Sequence, residues 1–259
     1  MGTTLRAKLD RGEVAVGHMV SEFWTRGIAK VLEVAGFDFV LFDLEHSGAS
    51  MSDLADQLAW TKATSLTSIV RIPAGMNAYV SRALDAGADG IMVPQVDSVE
   101  DVRAAIRAAK YPPLGRRGMT HVGAHDDFGQ RSTGEVLANA NRETILIVQI
   151  ETANALAGVD SIVREPGVDI AWPGPVDLGV ALAPESGGRA EIVDEAIIRV
   201  VDACRSAGRV AGLQVNDASE AVAFIRRGVR CISLNKDVGI YLDACQKAVS
   251  ATREEAGAK

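Results

Sequence analysis

Four residues stand where ionisable chemistry follows an apolar run: His46, Arg71, Glu151 and Asp177. The stretch "FVLFDLEHSG", Phe39 to Gly48, stops abruptly at Asp43, Glu45 and His46. An imidazole beside a carboxylate is a proton-transfer pair: Asp43 would fix the tautomer of His46 and favour the imidazolium when a proton arrives. A structural histidine and a Glu45 surface ion pair are the plainer alternatives. Arg71 could stabilise a developing oxyanion, or pair with Glu45 or Glu151. Glu151 ends "VQIE" and Asp177 lies in "PGPVDLG". Two facing carboxylates repel and raise a pKa, and a divalent cation relieves the repulsion. Oxygen ligands with open water positions suit Mg²⁺, Mn²⁺ or Co²⁺ better than an all-protein Ca²⁺ cage. Either acid could instead be an ordinary strand-end group or a helix N-cap. Lys236, in "SLNKD", is a Schiff-base candidate only if desolvated.

Such groups act together only if something rigid aims them at one place. Eight near-continuous apolar runs serve: Val14 to Val20, Phe37 to Phe42, Thr67 to Ile72, Asp89 to Pro94, Ile145 to Glu151, Val168 to Gly174, Arg209 to Val215 and Arg230 to Asn235. Unbroken apolar runs fit parallel strands covered on both faces. Helical patterns lie between them. In "VEDVRAAIRAAK", Val99, Val102, Ala105 and Ile106 form one apolar face, and Ser98 with Asp101 marks a helix start. Eight β-then-α units predict a single-domain (β/α)₈ TIM barrel over residues 1–259, a length ordinary for that fold. A doubly wound open sheet is the runner-up, but no GxGxxG follows the first run. In a barrel every strand's C-terminal end emerges on the face that hosts the active site. Asp43, Glu45, His46, Arg71, Glu151 and Asp177 would then meet at one mouth.

Bulk properties narrow the ligand. The chain is 47% hydrophobic and carries a formal net charge of −7, with no basic face visible in the sequence, so a small molecule is expected rather than nucleic acid. Cys204, Cys231 and Cys245 have no zinc-like spacing and read as buried, reduced thiols of a cytoplasmic protein. No segment approaches the ~18 apolar residues of a membrane span. One stretch breaks the regular spacing: Lys110 to Arg142, a long loop with Pro-Pro, several glycines, Arg116, Arg117, His121 and His125. Long loops in compact domains are usually functional or disordered. These cations either meet an anionic substrate or form a solvated loop. Trp172, before Pro173, reads as packing.

Taken in order, "FDLEHS", "VRIP", "GADGIMVPQVDSVEDVRAAIRAAKYPPLGRRG", "VQIET" and "PGPVDLG" resemble the metal-dependent (class II) pyruvate aldolases. The nearest types are 4-hydroxy-2-oxoheptanedioate aldolase and 2-dehydro-3-deoxyglucarate aldolase, of the citrate-lyase-like superfamily. The match runs from about Gly36 to Leu178 and continues more weakly to the C-terminus. The resemblance implies a hexamer of barrels and a divalent metal on Glu151 and Asp177. It further implies Gln149 contacting substrate and the backbone of Gly174, Pro175 and Val176 receiving a pyruvate carboxylate. Arg71 would stabilise the enolate, and His46 with Asp43 would handle protons at the bond-making end. The chain departs from the family pattern after the first strand, where the usual aromatic is absent and Trp24 is a possible substitute, and in "MTHVGAHDDFGQ". Both segments are expected to line the acceptor-aldehyde side.

Overall fold

The computed structural model describes residues 4–126, 128–129, 132–183 and 190–257. Eight strands, β1 (Ala15–Val20), β2 (Phe39–Asp43), β3 (Thr67–Arg71), β4 (Gly90–Val96), β5 (Ile145–Ile150), β6 (Ile170–Pro173), β7 (Val210–Val215) and β8 (Cys231–Lys236), pair in chain order into a closed barrel. Every pairing is parallel, and β8 closes on β1. The expected (β/α)₈ barrel is therefore the fold.

The apolar runs are continuous because each strand faces two cores. Phe39, Leu41, Ile69, Ile147 and Trp172 point into the barrel. Val40, Phe42, Val70, Leu146 and Val148 point outward against the helices. Room inside is tight. Gly17 lies in register with Phe39, and a Cβ at Gly17 would sit 2.3 Å from that ring; one at Gly212 would sit 2.1 Å from Trp172. Each aromatic thus fills the space its neighbouring strand leaves open. Burying a phenylalanine in this way stabilises by about 1.5–3 kcal/mol. Trp172 is a packing residue.

Helices α1 (Thr4–Asp10), α2 (Ile28–Val34), α3 (Met51–Thr61), α4 (Ala78–Asp85), α5 (Val99–Ala109) and α6 (Thr133–Glu143) accompany the first half of the barrel. The second half carries α7 (Ala153–Ala157), α8 (Val159–Ile162), α9 (Pro175–Leu182), α10 (Ala190–Ala207), α11 (Ala218–Arg227) and α12 (Asp237–Glu255). Short α1 plugs the end where strands begin: Leu5 is fully buried among the inward-facing residues. At that end Asp38, Asp89 and Asp169, one residue or less before β2, β4 and β6, accept the backbone N–H groups of Val16, Ser68 and Leu146 on the preceding strands at 2.8–2.9 Å. Lys8 reaches Asp38 at 2.6 Å and Arg6 reaches Asp169 at 2.9 Å.

Two expectations need correction. The Lys110 to Arg142 stretch is not all loop, because α6 begins at Thr133 and takes up its last third, started by a capping box in which Ser132 and Glu135 exchange hydrogen bonds. Nor are all three cysteines buried: Cys204 and Cys231 are, but Cys245 is exposed on α12. Burial pushes the Cys204 thiol up to about 12, so it stays protonated. Helix α12 differs from its fellows in another way. Past the buried Asp237 it runs exposed, with Ile240, Tyr241 and Leu242 open to solvent. Among the described residues no helix is long and apolar enough to cross a membrane.

Candidate active site

The C-terminal ends of β2, β3, β5 and β6 bring the expected residues to one mouth. Register makes the first contact: Asp43 and Arg71 are cross-strand partners on β2 and β3. Arg71 donates from Nε and Nη2 to the two Asp43 oxygens at 2.8 and 2.7 Å, both side chains being buried. This planar two-point pairing is the strong geometry available to a guanidinium. Asp43 also accepts the N–H groups of Glu45 at 3.0 Å and His46 at 3.4 Å. Burial pushes the Asp43 carboxyl up, but Arg71 and these N–H groups outweigh it and hold it below its usual range.

The expected Asp43–imidazole pair is thus not formed; it is corrected to an Asp43–Arg71 pair. The His46 ring, with its side chain 67% exposed, turns instead toward Glu45, Nε2 to Oε2 3.8 Å. The same Glu45 oxygen lies 3.4 Å from Arg71 Nη1. Burial raises the Glu45 pKa, and the charges of Asp43 and Asp177 add to the rise against the pull of Arg71.

Glu151 is buried and held at both carboxylate oxygens. Its Oε2 accepts the Gln95 N–H at 2.9 Å and its Oε1 accepts Gln149 Nε2 at 2.9 Å. Burial pushes Glu151 up to about 7; the Gln95 bond opposes this, Asp177 and Glu45 add to it, and Arg71 works against it. Glu151 is not a helix cap: that place belongs to Thr152, whose side chain accepts from Ala155 N–H. Gly174 lies so close that an added Cβ would meet Glu151 Oε1 at 2.6 Å, so only glycine admits the carboxylate here. Pro175 then opens α9, and exposed Asp177 sits in the first turn, where a negative charge is favoured.

Asp43 and Glu45 therefore contact the Arg71 guanidinium, Glu151 feels its charge, and Asp177 adds its own negative charge to Glu45 and Glu151. Gln149 is buried, and its Oε1 has no hydrogen-bond partner among the described residues. An unmatched acceptor beside a carboxylate with a raised pKa is a donor set for a cation. No group of three His, Cys, Asp or Glu is placed to hold a metal among the described residues. The two carboxylates would leave further positions for water or substrate, as a catalytic Mg²⁺-type site requires.

Other candidates fall elsewhere. Lys236, at the end of β8, is exposed, so the desolvation that a Schiff-base lysine needs is missing. Trp24 donates Nε1–H to the Ser21 carbonyl and packs on Phe42 of the outer core. Within the chain, the loop after α5 lies at the end where strands begin, away from the mouth. Arg117 is buried against Asp85 at the end of α4 and covers the Tyr111 ring at 4.9 Å, while Asp126 ties the loop through the N–H groups of Val122, Gly123 and Gly129. Arg116 is exposed, and the His121 and His125 rings hydrogen-bond within this segment.

Sequence reasoning missed two participants. Gln95 adopts a left-handed φ of 51° where the β4–β5 register shifts, which turns its N–H toward Glu151. Pro94, unable to join a ladder, was the available signal. Asp237 accepts the N–H groups of Ser21, Glu22 and Phe23 at 2.7–3.1 Å and so fixes the segment after β1 at the rim.

Comparison with known proteins agrees with this architecture. Residues 24–244 match the family model "HpcH/HpaI aldolase/citrate lyase". A hydroxypyruvate/pyruvate aldolase of Roseobacter denitrificans is 32% identical over 243 residues, 93% of each chain. A 2-keto-3-deoxy-L-rhamnonate aldolase of Salmonella schwarzengrund is 31% identical over 91% of this chain and 88% of its own. The crystal structure of an HpcH/HpaI aldolase from Desulfitobacterium hafniense superposes with a TM-score of 0.91 at 31% identity, covering 97% of both chains. The chain belongs to the HpcH/HpaI aldolase/citrate lyase family and is an enzyme of the aldehyde-lyase type.

Proposed function

We propose that the enzyme reversibly cleaves 4-hydroxy-2-oxo acids to an aldehyde and pyruvate, or a close analogue such as hydroxypyruvate. The observation that carries this reading is the mouth's charge: Asp43 and Glu45 against Arg71, and Glu151, under the charge of Glu45 and Asp177, pushed up to about 7. Glu151 and Asp177 would hold Mg²⁺, Mn²⁺ or Co²⁺. Such an ion, when bound, supplies Lewis-acid polarisation of the 2-oxo acid and lowers the cost of placing negative charge on its oxygens.

The chain's own groups do the rest. Breaking the C3–C4 bond leaves an electron pair next to the 2-carbonyl, delocalised onto its oxygen as an enolate. Arg71 is held rigid by Asp43, so its remaining N–H donors are aimed in advance at that oxygen and need no reorganisation as charge develops. Gly174 leads into α9, and the backbone N–H groups at the start of that helix would favour the carboxylate of the 2-oxo acid. Gln149 is placed beside Glu151 to contact the same half of the substrate. The 4-hydroxyl must lose its proton as the aldehyde forms. The exposed His46 ring is the group to accept it, directly or through water, and Glu45 Oε2 is near enough to steady the resulting imidazolium.

The assembly is proposed to be a homo-oligomer, a hexamer by family resemblance, in the cytoplasm. The exposed Val238, Tyr241, Leu242 and Val249, which share one side of α12, support an assembled state, because an apolar helix face is normally covered.

Purified protein supplied with 4-hydroxy-2-oxo acids should release pyruvate, lose that activity on chelation and regain it with Mg²⁺, Mn²⁺ or Co²⁺. Full activity in chelator, or borohydride trapping of pyruvate on Lys236, would overturn the reading.

A further inference from the structure

At the end of the barrel opposite the mouth, the chain repeats one local pattern twice. In "RSAGRV" and "RRGVRC" an arginine lies in the last turn of a helix, a glycine turns the chain, and another arginine leads into the next strand. The helices are α10 and α11, and the strands are the adjacent pair β7 and β8, so the topology brings the two segments together. Gly208 and Gly228 take φ of 65° and 118°, the left-handed region in which helices commonly end at glycine. Gly228 has a second constraint: a Cβ there would meet Arg205 Nη2 at 2.8 Å. Glycine makes room for a guanidinium from the neighbouring helix.

The outcome is a pocket of about 410 Å³ lined by Arg205, Arg209, Arg226, Arg227 and Arg230, with no acidic residue in its lining among the described residues. Five of the chain's 27 basic residues thus face one cavity in a protein of net charge −7. Part of this charge has a local use. Arg205 pairs with Asp202 at 2.8 Å and Arg227 with Asp194 at 2.9 Å. Arg205 Nη2 and Arg230 Nη1 donate to carbonyls at the end of α11, as basic groups at helix C-termini do. Arg209 spends only Nε on the Val163 carbonyl. Among the described residues Arg209, Arg226 and Arg230 have no carboxylate partner. Helix capping leaves most of their donors unused. Leu9, Val201, Val210 and Ala211 supply an apolar floor.

We propose that this pocket binds a small molecule carrying two or more linked phosphate groups. Guanidinium forks match phosphate oxygens two at a time, and several forks around one cavity favour a multivalent anion over a single carboxylate. The volume lies in the range of small-ligand sites and exceeds what one phosphate fills. The site is independent of the aldolase reading, since it shares no residue with the mouth.

The test is calorimetric titration of the full-length protein, stripped of metal and desalted, with pyrophosphate, ADP and citrate. Pyrophosphate and ADP should bind more tightly than citrate, and their affinity should fall steeply with added salt. Arg226→Glu and Arg209→Gln, each checked for native circular dichroism, should weaken binding about tenfold or more, the scale of one charge-assisted contact. Glu151→Gln, at the mouth, should leave it unchanged. Equal binding of pyrophosphate and ADP assigns the affinity to the phosphate chain; tighter ADP assigns the apolar floor to the nucleoside. Either supports the site. Absence of binding, indifference to salt and to both arginine variants, or loss of binding in Glu151→Gln would overturn it.

Discussion

The two ends of the barrel use the same residue types to opposite effect. Where the strands begin, Asp38, Asp89 and Asp169 each accept a neighbouring strand's N–H, and Lys8 and Arg6 neutralise two of them. Each acid there is satisfied. Where the strands end, Asp43, Glu45 and Glu151 share one guanidinium, Asp177 adds its charge to Glu45 and Glu151, and Glu151 is pushed up to about 7. These compensated acids at the closed end serve cohesion. At the open end Glu151 keeps no cationic contact of its own among the described residues, and a strongly perturbed acid in such a place marks a candidate functional site.

The sharpest way to break that contrast is Glu151→Gln. Turnover and divalent-metal binding should be lost together, with cleavage falling by about a thousandfold or more, the upper range for removing a key charge-stabilising group. Asp177→Asn should act in the same direction. Stability of the metal-free protein should move the other way. The Glu151 pKa is raised on folding, so its contribution is fully present below the unfolded value near 4.5 and is lost as pH rises through about 7. Above pH 8 the buried carboxylate then costs on the order of 2–3 kcal/mol. Urea unfolding without divalent metal should find Glu151→Gln more stable than wild type at pH 8 and no more stable at pH 4.5. An acid that proved stabilising at pH 8 would place the open end in the same class as the closed one.

A smaller effect is expected at His46. His46→Ala should slow aldol cleavage about a hundredfold or more, as loss of a general base does. Pyruvate affinity should change less than about twofold, because Arg71 and Gln149 remain. Stopped-flow cleavage and pyruvate titration separate the two quantities. Wild-type cleavage by the variant would remove His46 from proton transfer and leave Glu45 as the nearer ionisable group.

The barrel was legible because burial on two faces writes itself into composition: runs such as "ILIVQI" admit few other readings. The mouth was legible because strand ends could be read one after another. Asp43's partner was not. An imidazole three residues along the chain and a guanidinium on the next strand were both in reach on paper, and only the register that sets Asp43 beside Arg71 decides. Register is a tertiary property with no local signature here. Helix α6 was hidden for a different reason: its Ser132…Glu135 capping box was present, but the Pro- and Gly-rich context before it suggested a loop. The arginine pocket escaped because net charge averages over the chain, whereas a pocket collects it from two adjacent helix ends.

The finest test lies at the closed end. Asp169→Asn keeps an oxygen that can still accept the Leu146 N–H but removes the charge facing Arg6 at 2.9 Å. The half-buried ion pair is partly screened, so the loss should be about 1–2 kcal/mol. In a chain of this size that is a fall of about 2–6 °C in Tm. Catalysis should be unaffected, since β6 keeps its pairing and Gly174 its place against Glu151. The change in Tm should shrink in high salt, because it is the charge rather than the hydrogen bond that has been removed. A large loss of kcat from this substitution, with Tm unchanged, would mean that the two ends of the barrel are coupled and that their division of labour is wrong.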